Sequence, residues 1–117
     1  MSYVDGFVVA VPKQNIETYK KMARVAAEVW KEHGALAYVE NIADDVPYGK
    51  LTSFPRAVQA KDDEVVCFSW ILYESREQRD QVNAKVMADP RLEGMMKDTP
   101  FDAKRMIYGG FQTFLEL

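Results

Sequence analysis

Apolar positions along the chain switch between two spacings. Residues 3–12, Tyr3 to Pro12, are rich in Val and Phe and stop at Pro12, which predicts a strand. Over residues 15–33 the spacing becomes helical. Ile16, Tyr19, Ala23, Ala26 and Trp30 recur at steps of three and four and form one apolar stripe. Asn15 suits the N-cap of this helix. Gly34 suits the position just past its end, and His33 beside it fits a capping or packing role. Residues 35–43 predict a second strand through Leu36, Tyr38, Val39 and Ile42. The strongest strand signal is 64–74, where Val65 to Tyr73 runs almost unbroken. Ser75-Arg76-Glu77-Gln78 then fits a capping box, with Val82, Val86 and Met87 on the apolar side of the helix it opens. Pro90 stops or kinks that helix, and Leu92, Met95 and Met96 add one further turn. Met106 to Leu117 predicts a last strand, with Gly109-Gly110 marking a bulge or a close approach.

The stretch from Asp44 to Asp63 is the least regular, broken by Pro47, Gly49 and Pro55. Segments of this length are usually functional or mobile, and Phe54 to Gln59 is expected to be extended. The order β-α-β-β-α-β predicts a ferredoxin-like α+β fold: a four-stranded antiparallel sheet with two helices on one face. With 117 residues, one domain spanning 1–117 accounts for the whole pattern.

Side chains alternate along a strand, so parity divides them between the faces. Val66, Phe68, Trp70 and Leu72 are the bulkier and wholly apolar set, and are expected to face the helices. Ile107, Phe111 and Leu115 of the last strand, and Val4, Val8 and Ala10 of the first, are expected beside them. That leaves Phe7, Val9, Ile71, Tyr73, Tyr108 and Phe114 on the open face, an apolar patch that monomers rarely expose. A second copy of the sheet is its simplest cover, so an obligate homodimer is expected.

Charge and composition narrow the classes. Fifteen Lys and Arg against eighteen Asp and Glu give a net charge of -3, without the basic footprint of a nucleic-acid binder. No apolar run approaches the ~20 residues of a membrane span, and the start of the chain lacks a basic, apolar signal segment. One cysteine, Cys67, permits no intrachain disulfide, so a cytoplasmic location is expected. With one His and one Cys, no zinc site of that kind is expected. Asp62-Asp63-Glu64 lacks the spacing of a calcium loop. Phosphate loops, dinucleotide glycine motifs and nucleophile elbows are absent, and no cofactor is expected.

Several longer motifs stand out: Asp44-Asp45-Val46-Pro47 with Gly49-Lys50, Thr52 to Val58, Phe68-Ser69-Trp70, Met87-Ala88-Asp89-Pro90, and Pro100 to Phe111. Together they resemble the YbaA-like bacterial family of unknown function, over essentially the whole chain. The resemblance implies a dimeric α+β barrel and no established reaction. Haem-degrading members of that wider superfamily carry an Asn on the first strand, a Trp late on the third and a His on the second helix. This chain has Asp5 or Phe7, Tyr73 and no such His, which counts against haem degradation.

The polar members of the face expected to be open are candidate site residues. Asp5 and Glu40 are candidate general bases, because a buried carboxyl is driven toward a higher pKa. Tyr108 is a candidate proton donor. Phe7, Tyr38, Cys67, Ser69, Ile71, Tyr73 and Gln112 are candidate pocket-lining residues, and the parity of the second strand leaves open whether Tyr38 and Glu40 join them. Arg56 and Arg105 are candidates to pair with the carboxylates across the dimer. The expected function is a homodimer that binds a small apolar or aromatic molecule between its two sheets. The alternatives are a cofactor-independent oxygenase or isomerase with a carboxylate base, or a non-catalytic structural dimer.

Overall fold

The computed structural model describes residues 2–117. Its elements are β1 (Tyr3–Pro12), α1 (Ile16–Glu32), β2 (Ala37–Ile42), α2 (Phe54–Ala57), β3 (Glu64–Tyr73), α3 (Arg76–Met87), α4 (Pro90–Met96) and β4 (Ile107–Gln112), with short 3-10 turns at Lys13–Asn15 and Ala103–Arg105. The strands form one antiparallel sheet in the order β2-β3-β1-β4, which is the ferredoxin-like arrangement. Among the described residues, no helix is long and apolar enough to cross a membrane.

Local chemistry explains where the chain departs from the expected elements. Asn15 precedes α1 as expected, but its side chain makes no cap. The amide donates instead to the carbonyl of Pro100 at 3.0 Å, tying the start of the helix to the approach to β4. Phe54 to Ala57 is a helical turn rather than an extended piece. Ser53 accepts from the Arg56 N–H at 3.1 Å, and Pro55 sits in the first turn, where its missing N–H costs nothing. Pro90 likewise opens α4 behind an Asp89 cap instead of merely ending α3. His33, at the end of α1, places Nε2 2.9 Å from the Asp89 carboxylate and so ties α1 to α4. The last strand is shorter than expected and ends at Gln112.

The faces are the main correction. Val66, Phe68, Trp70 and Leu72, with Val4, Val8, Ile107 and Phe111, turn away from α1 and α3. The alternate set lies under the helices. Ile71 and Tyr73 pack with Val29 of α1 and with Val82 and Val86 of α3. Val9, Val11 and Cys67 pack with Tyr19 and Ala23. Both sets are apolar enough to be buried, so bulk does not separate them. The polar groups do, because Asp5, Ser69 and Glu40 lie on the side where helices can supply partners.

One end of the outer face is covered from within the chain. Val58, from the segment after α2, is 1% exposed and packs with Val8, Ala10 and Val66. The other end is bare: Phe68, Ile107 and Phe111 are exposed around a hollow of about 590 Å³. Gly6 pairs with Gly109 at its floor, and the Phe111 ring lies over both, within 3.9 Å of where a Cβ on either would stand.

Ser75 caps α3 as expected, accepting from the Gln78 N–H at 3.1 Å. The Gln78 side chain departs from a standard box. It accepts from the Glu74 N–H at 2.7 Å and donates to the Gly34 carbonyl at 2.8 Å, joining the start of α3 to the end of α1. Ser75→Ala should therefore destabilise the fold by about 1 kcal/mol, read as a lower urea midpoint with an unchanged slope.

Candidate functional site

Register across the sheet arranges the candidate residues in rungs on the helix-facing side. One rung runs Tyr108, Phe7, Ser69, Glu40 through β4, β1, β3 and β2. The next runs Gly110, Asp5, Ile71, Tyr38, and beyond it Gln112, Tyr3 and Tyr73. Sharing a rung does not bring its ends together. Three strand spacings put Tyr108 and Glu40 roughly 14 Å apart at the Cα atoms. Tyr108 is 74% exposed and stacks on Phe7, with ring centroids 6.3 Å apart. Gln112 is exposed at the end of β4.

The two candidate carboxylates have different surroundings. Asp5 is 6% exposed and accepts from the Arg79 guanidinium of α3 at 3.1 Å, and the same guanidinium donates to the Tyr3 hydroxyl at 3.3 Å. Burial raises the pKa of Asp5, against the lowering effect of Arg79 and of the Tyr73 and Asn83 side chains beside it. Asn83 in turn accepts from Trp30 Nε1 at 3.2 Å and from the Tyr73 hydroxyl at 3.4 Å. Asp5 and Tyr73 thus belong to a packed polar network that fixes α3 on the sheet.

Among the described residues, no cation forms an ion pair with Glu40. It accepts from the Tyr19 hydroxyl of α1 at 2.8 Å on Oε1 and from the Tyr38 hydroxyl at 3.1 Å on Oε2. Burial lifts its carboxyl above the ordinary value of 4.5, and the two hydroxyls draw it partly back. The same burial, reinforced by the charge of Glu40, drives both tyrosines far above the usual phenol range, so both hydroxyls keep the protons they donate to Glu40. Cys67 is buried, and its thiol is pushed up to about 11 by that burial and by the nearby carboxylate, which leaves it a poor nucleophile.

Glu40 stands in the wall between two spaces. On one side, a cavity of about 140 Å³ lies between the sheet and the helix layer. Phe7, Tyr38, Ser69 and Ile71 line it, together with Trp30 and Phe101. On the other side, a groove of about 300 Å³ runs between α1 and β2, past Lys20, Ala27, Ile42 and Cys67. Tyr19, Ala23, Tyr38 and Glu40 line both.

Neither candidate arginine meets these carboxylates within the chain. Arg56 donates to the carbonyls of Tyr48 and Gly49 and lies over the Tyr48 ring at 4.0 Å. Arg105 is held by Glu64 at 2.7 and 2.8 Å and by Asp102 at 3.0 Å. The partner of Asp5 is Arg79, which sits three and seven residues before Val82 and Val86, on the buried side of α3. That spacing was its signal in the sequence. Tyr19 was legible only as a member of the apolar stripe of α1. A tyrosine in such a stripe still has a hydroxyl that needs a partner, and Glu40 supplies it. Among the described residues, no group of three or more His, Cys, Asp or Glu side chains is placed to hold a metal ion.

A four-stranded sheet carrying two main helices over an apolar cavity defines a ferredoxin-like α+β protein, here with a lone carboxylate set into the cavity wall. The chain belongs to the family described as "Protein of unknown function (DUF1428)", which matches residues 2–103. It is 53% identical over 116 residues to "Uncharacterized protein YbaA" of Escherichia coli strain K12 and, equally, of Shigella flexneri, with 99% of each chain covered. Among solved structures, it is similar to a dimeric ferredoxin-like protein from an uncultured marine organism. The TM-score is 0.61 at 11% identity, over 99% of this chain and 98% of that one. A nipsnap family protein with unknown function from Agrobacterium tumefaciens matches at a TM-score of 0.54 and 16% identity, over 94% and 86% of the two chains. At these identities the structural matches establish the fold alone.

The raised pKa of Glu40 has a consequence for stability. A carboxyl whose folded-state pKa lies above its unfolded value stabilises the fold below the unfolded value, and that contribution is lost as pH rises through the folded one. Melting curves from about pH 4 to about pH 8 should show the wild type losing stability relative to Glu40→Gln as pH climbs past the ordinary carboxylate range. Parallel curves for the two proteins would mean that Glu40 ionises as freely as a surface residue.

Proposed function

We propose that the protein is a homodimeric small-molecule-binding protein whose site is the cavity and groove around Glu40. One observation carries the site: a largely buried carboxylate faces an apolar cavity and is held by two tyrosine hydroxyls, with no ion pair to it among the described residues although Lys20 and Arg24 line the adjoining groove. A carboxylate placed only for stability is normally paired, as Asp5 is with Arg79. Ionised, Glu40 has about four acceptor positions, of which the tyrosines fill two. The remainder are open to a ligand that can donate. The ligand position supported here lies under the helices of each subunit rather than between the two sheets, because the polar candidates lie on the helix side.

The dimer rests on the outer face. Phe68, Ile107 and Phe111 are exposed there beside Trp70, on a chain whose net charge is only -3. A structural neighbour is described as a dimeric ferredoxin-like protein, and that description favours the same assembly here. Sedimentation at micromolar concentration should give twice the chain mass of 13.4 kDa, and Phe68→Asp should shift the protein toward the monomer. A wild-type species that stays at the chain mass would sink the dimer.

A thermal-shift screen of small aromatic and apolar compounds tests the site. A compound present at a hundred times its Kd adds about 2.7 kcal/mol of stability. Hits should lose most of their effect in Glu40→Gln and Tyr19→Phe and keep it in Tyr108→Phe. Hits that bind Glu40→Gln as well as wild type would remove Glu40 from the site. Catalysis is the second reading. It is favoured by the same raised pKa, which suits a general base near neutrality. Turnover of a bound hit that disappears in Glu40→Gln would select it.

A further inference from the structure

We propose that the cavity beside Glu40 takes a single aromatic ring bearing a hydroxyl, with the ring against Trp30 and Phe101 and the hydroxyl donating to the Glu40 carboxylate. The inference rests on the reading of Glu40 as the binding determinant and adds the chemical class of the ligand. Volume sets the size. An apolar cavity of about 150 Å³ is enough to hold benzene, and this one measures about 140 Å³. The match in volume is to one ring rather than to a fused system. The walls set the character. Phe7, Trp30 and Phe101 present ring faces and edges, and Met22, Met95 and Met106 present polarisable sulfur, which packs well against aromatic edges.

The polar group sets the substituent. Glu40 already holds two donated hydroxyls, both phenolic, at 2.8 and 3.1 Å. No cation lies among the other cavity-lining residues, so a ligand anion would enter without a counter-charge and against Glu40. A ligand hydroxyl adds a third donor of the kind the site already satisfies, and introduces no charge of its own. The ring then occupies the cavity, while any further substituent is directed toward the groove that shares Tyr19, Ala23, Tyr38 and Glu40.

Phenol and toluene are the test pair, since toluene has a methyl where phenol has the hydroxyl. In protein labelled at methionine methyls, phenol should shift Met22, Met95 and Met106 and leave Met87, which is exposed and away from the cavity. The toluene-to-phenol Kd ratio should fall about tenfold or more in Glu40→Gln, the worth of one hydrogen bond to a charged acceptor. Ala26→Leu fills the cavity without altering Glu40 or the groove and should abolish binding of both compounds. If that variant does not fold, the methyl shifts in the unaltered protein decide alone. Phenol that leaves Met22, Met95 and Met106 unmoved up to ~10 mM, or an unchanged Kd ratio in Glu40→Gln, overturns the proposal; the concentration limit reflects the millimolar affinity to be expected of so small a ligand. The wider site survives if screening hits still require Glu40 but perturb only groove residues such as Ala27 and Ile42. Both fall if no compound depends on Glu40.

Discussion

β3 carries side chains that avoid water on both of its faces, and the sheet is built around that constraint. Its inner set, Cys67, Ser69, Ile71 and Tyr73, is covered by α1 and α3. Its outer set, Val66, Phe68, Trp70 and Leu72, is covered only at the Val66 end, where the segment after α2 folds back over it. β3 is also the strand between β1 and β2, so its register fixes where Asp5 and Glu40 emerge. The helix layer is then constrained to provide an arginine over one carboxylate and a tyrosine over the other.

Those two solutions differ in consequence. Arg79 gives Asp5 a counter-charge that it shares with Asp80 at 2.9 Å, and the pair is one fixed part of a network that also holds Tyr3, Tyr73 and Asn83. Removing one member of such a buried pair typically costs 3–5 kcal/mol, roughly, because the other is left uncompensated. Tyr19 and Tyr38 give Glu40 direction without charge. A carboxyl in that state can change protonation without unravelling an ion pair, and it stands at a cavity wall where such a change would be felt by a ligand.

Much of the fold was legible in the sequence. The bounds of β1 are those expected, β3 ends one residue earlier, and the β-α-β-β-α-β order follows from a change of spacing at Asn15 and at Ser75. The face of the sheet was not legible from bulk, because Phe68 and Trp70 are as apolar as Ile71 and Tyr73 and both sets demand cover. Asp5 offered the better guide. A carboxylate on an otherwise apolar strand needs a donor, and only a helix with an arginine in register with its buried valines provides one. Glu40 is a candidate base in the sequence only if its strand face is buried, whereas its companion Tyr19 is hidden in a helix stripe, where its ring fits and its hydroxyl leaves no trace in the spacing. Arg56 and Arg105 were drawn off by loop carbonyls and by Glu64, partners that no strand or helix periodicity reveals.

The paired glycines Gly6 and Gly109 matter beyond the room they leave for Phe111. A smooth apolar sheet would let a facing layer slide, since each offset would bury similar area at similar energy. A dent floored by two residues without side chains breaks that degeneracy. The Phe111 ring already lies over that floor, and the ring and the hollow beside it give the face a relief that a facing layer would have to match. The missing side chains would thereby act as an index mark for any layer packed there, favouring one alignment over its neighbours.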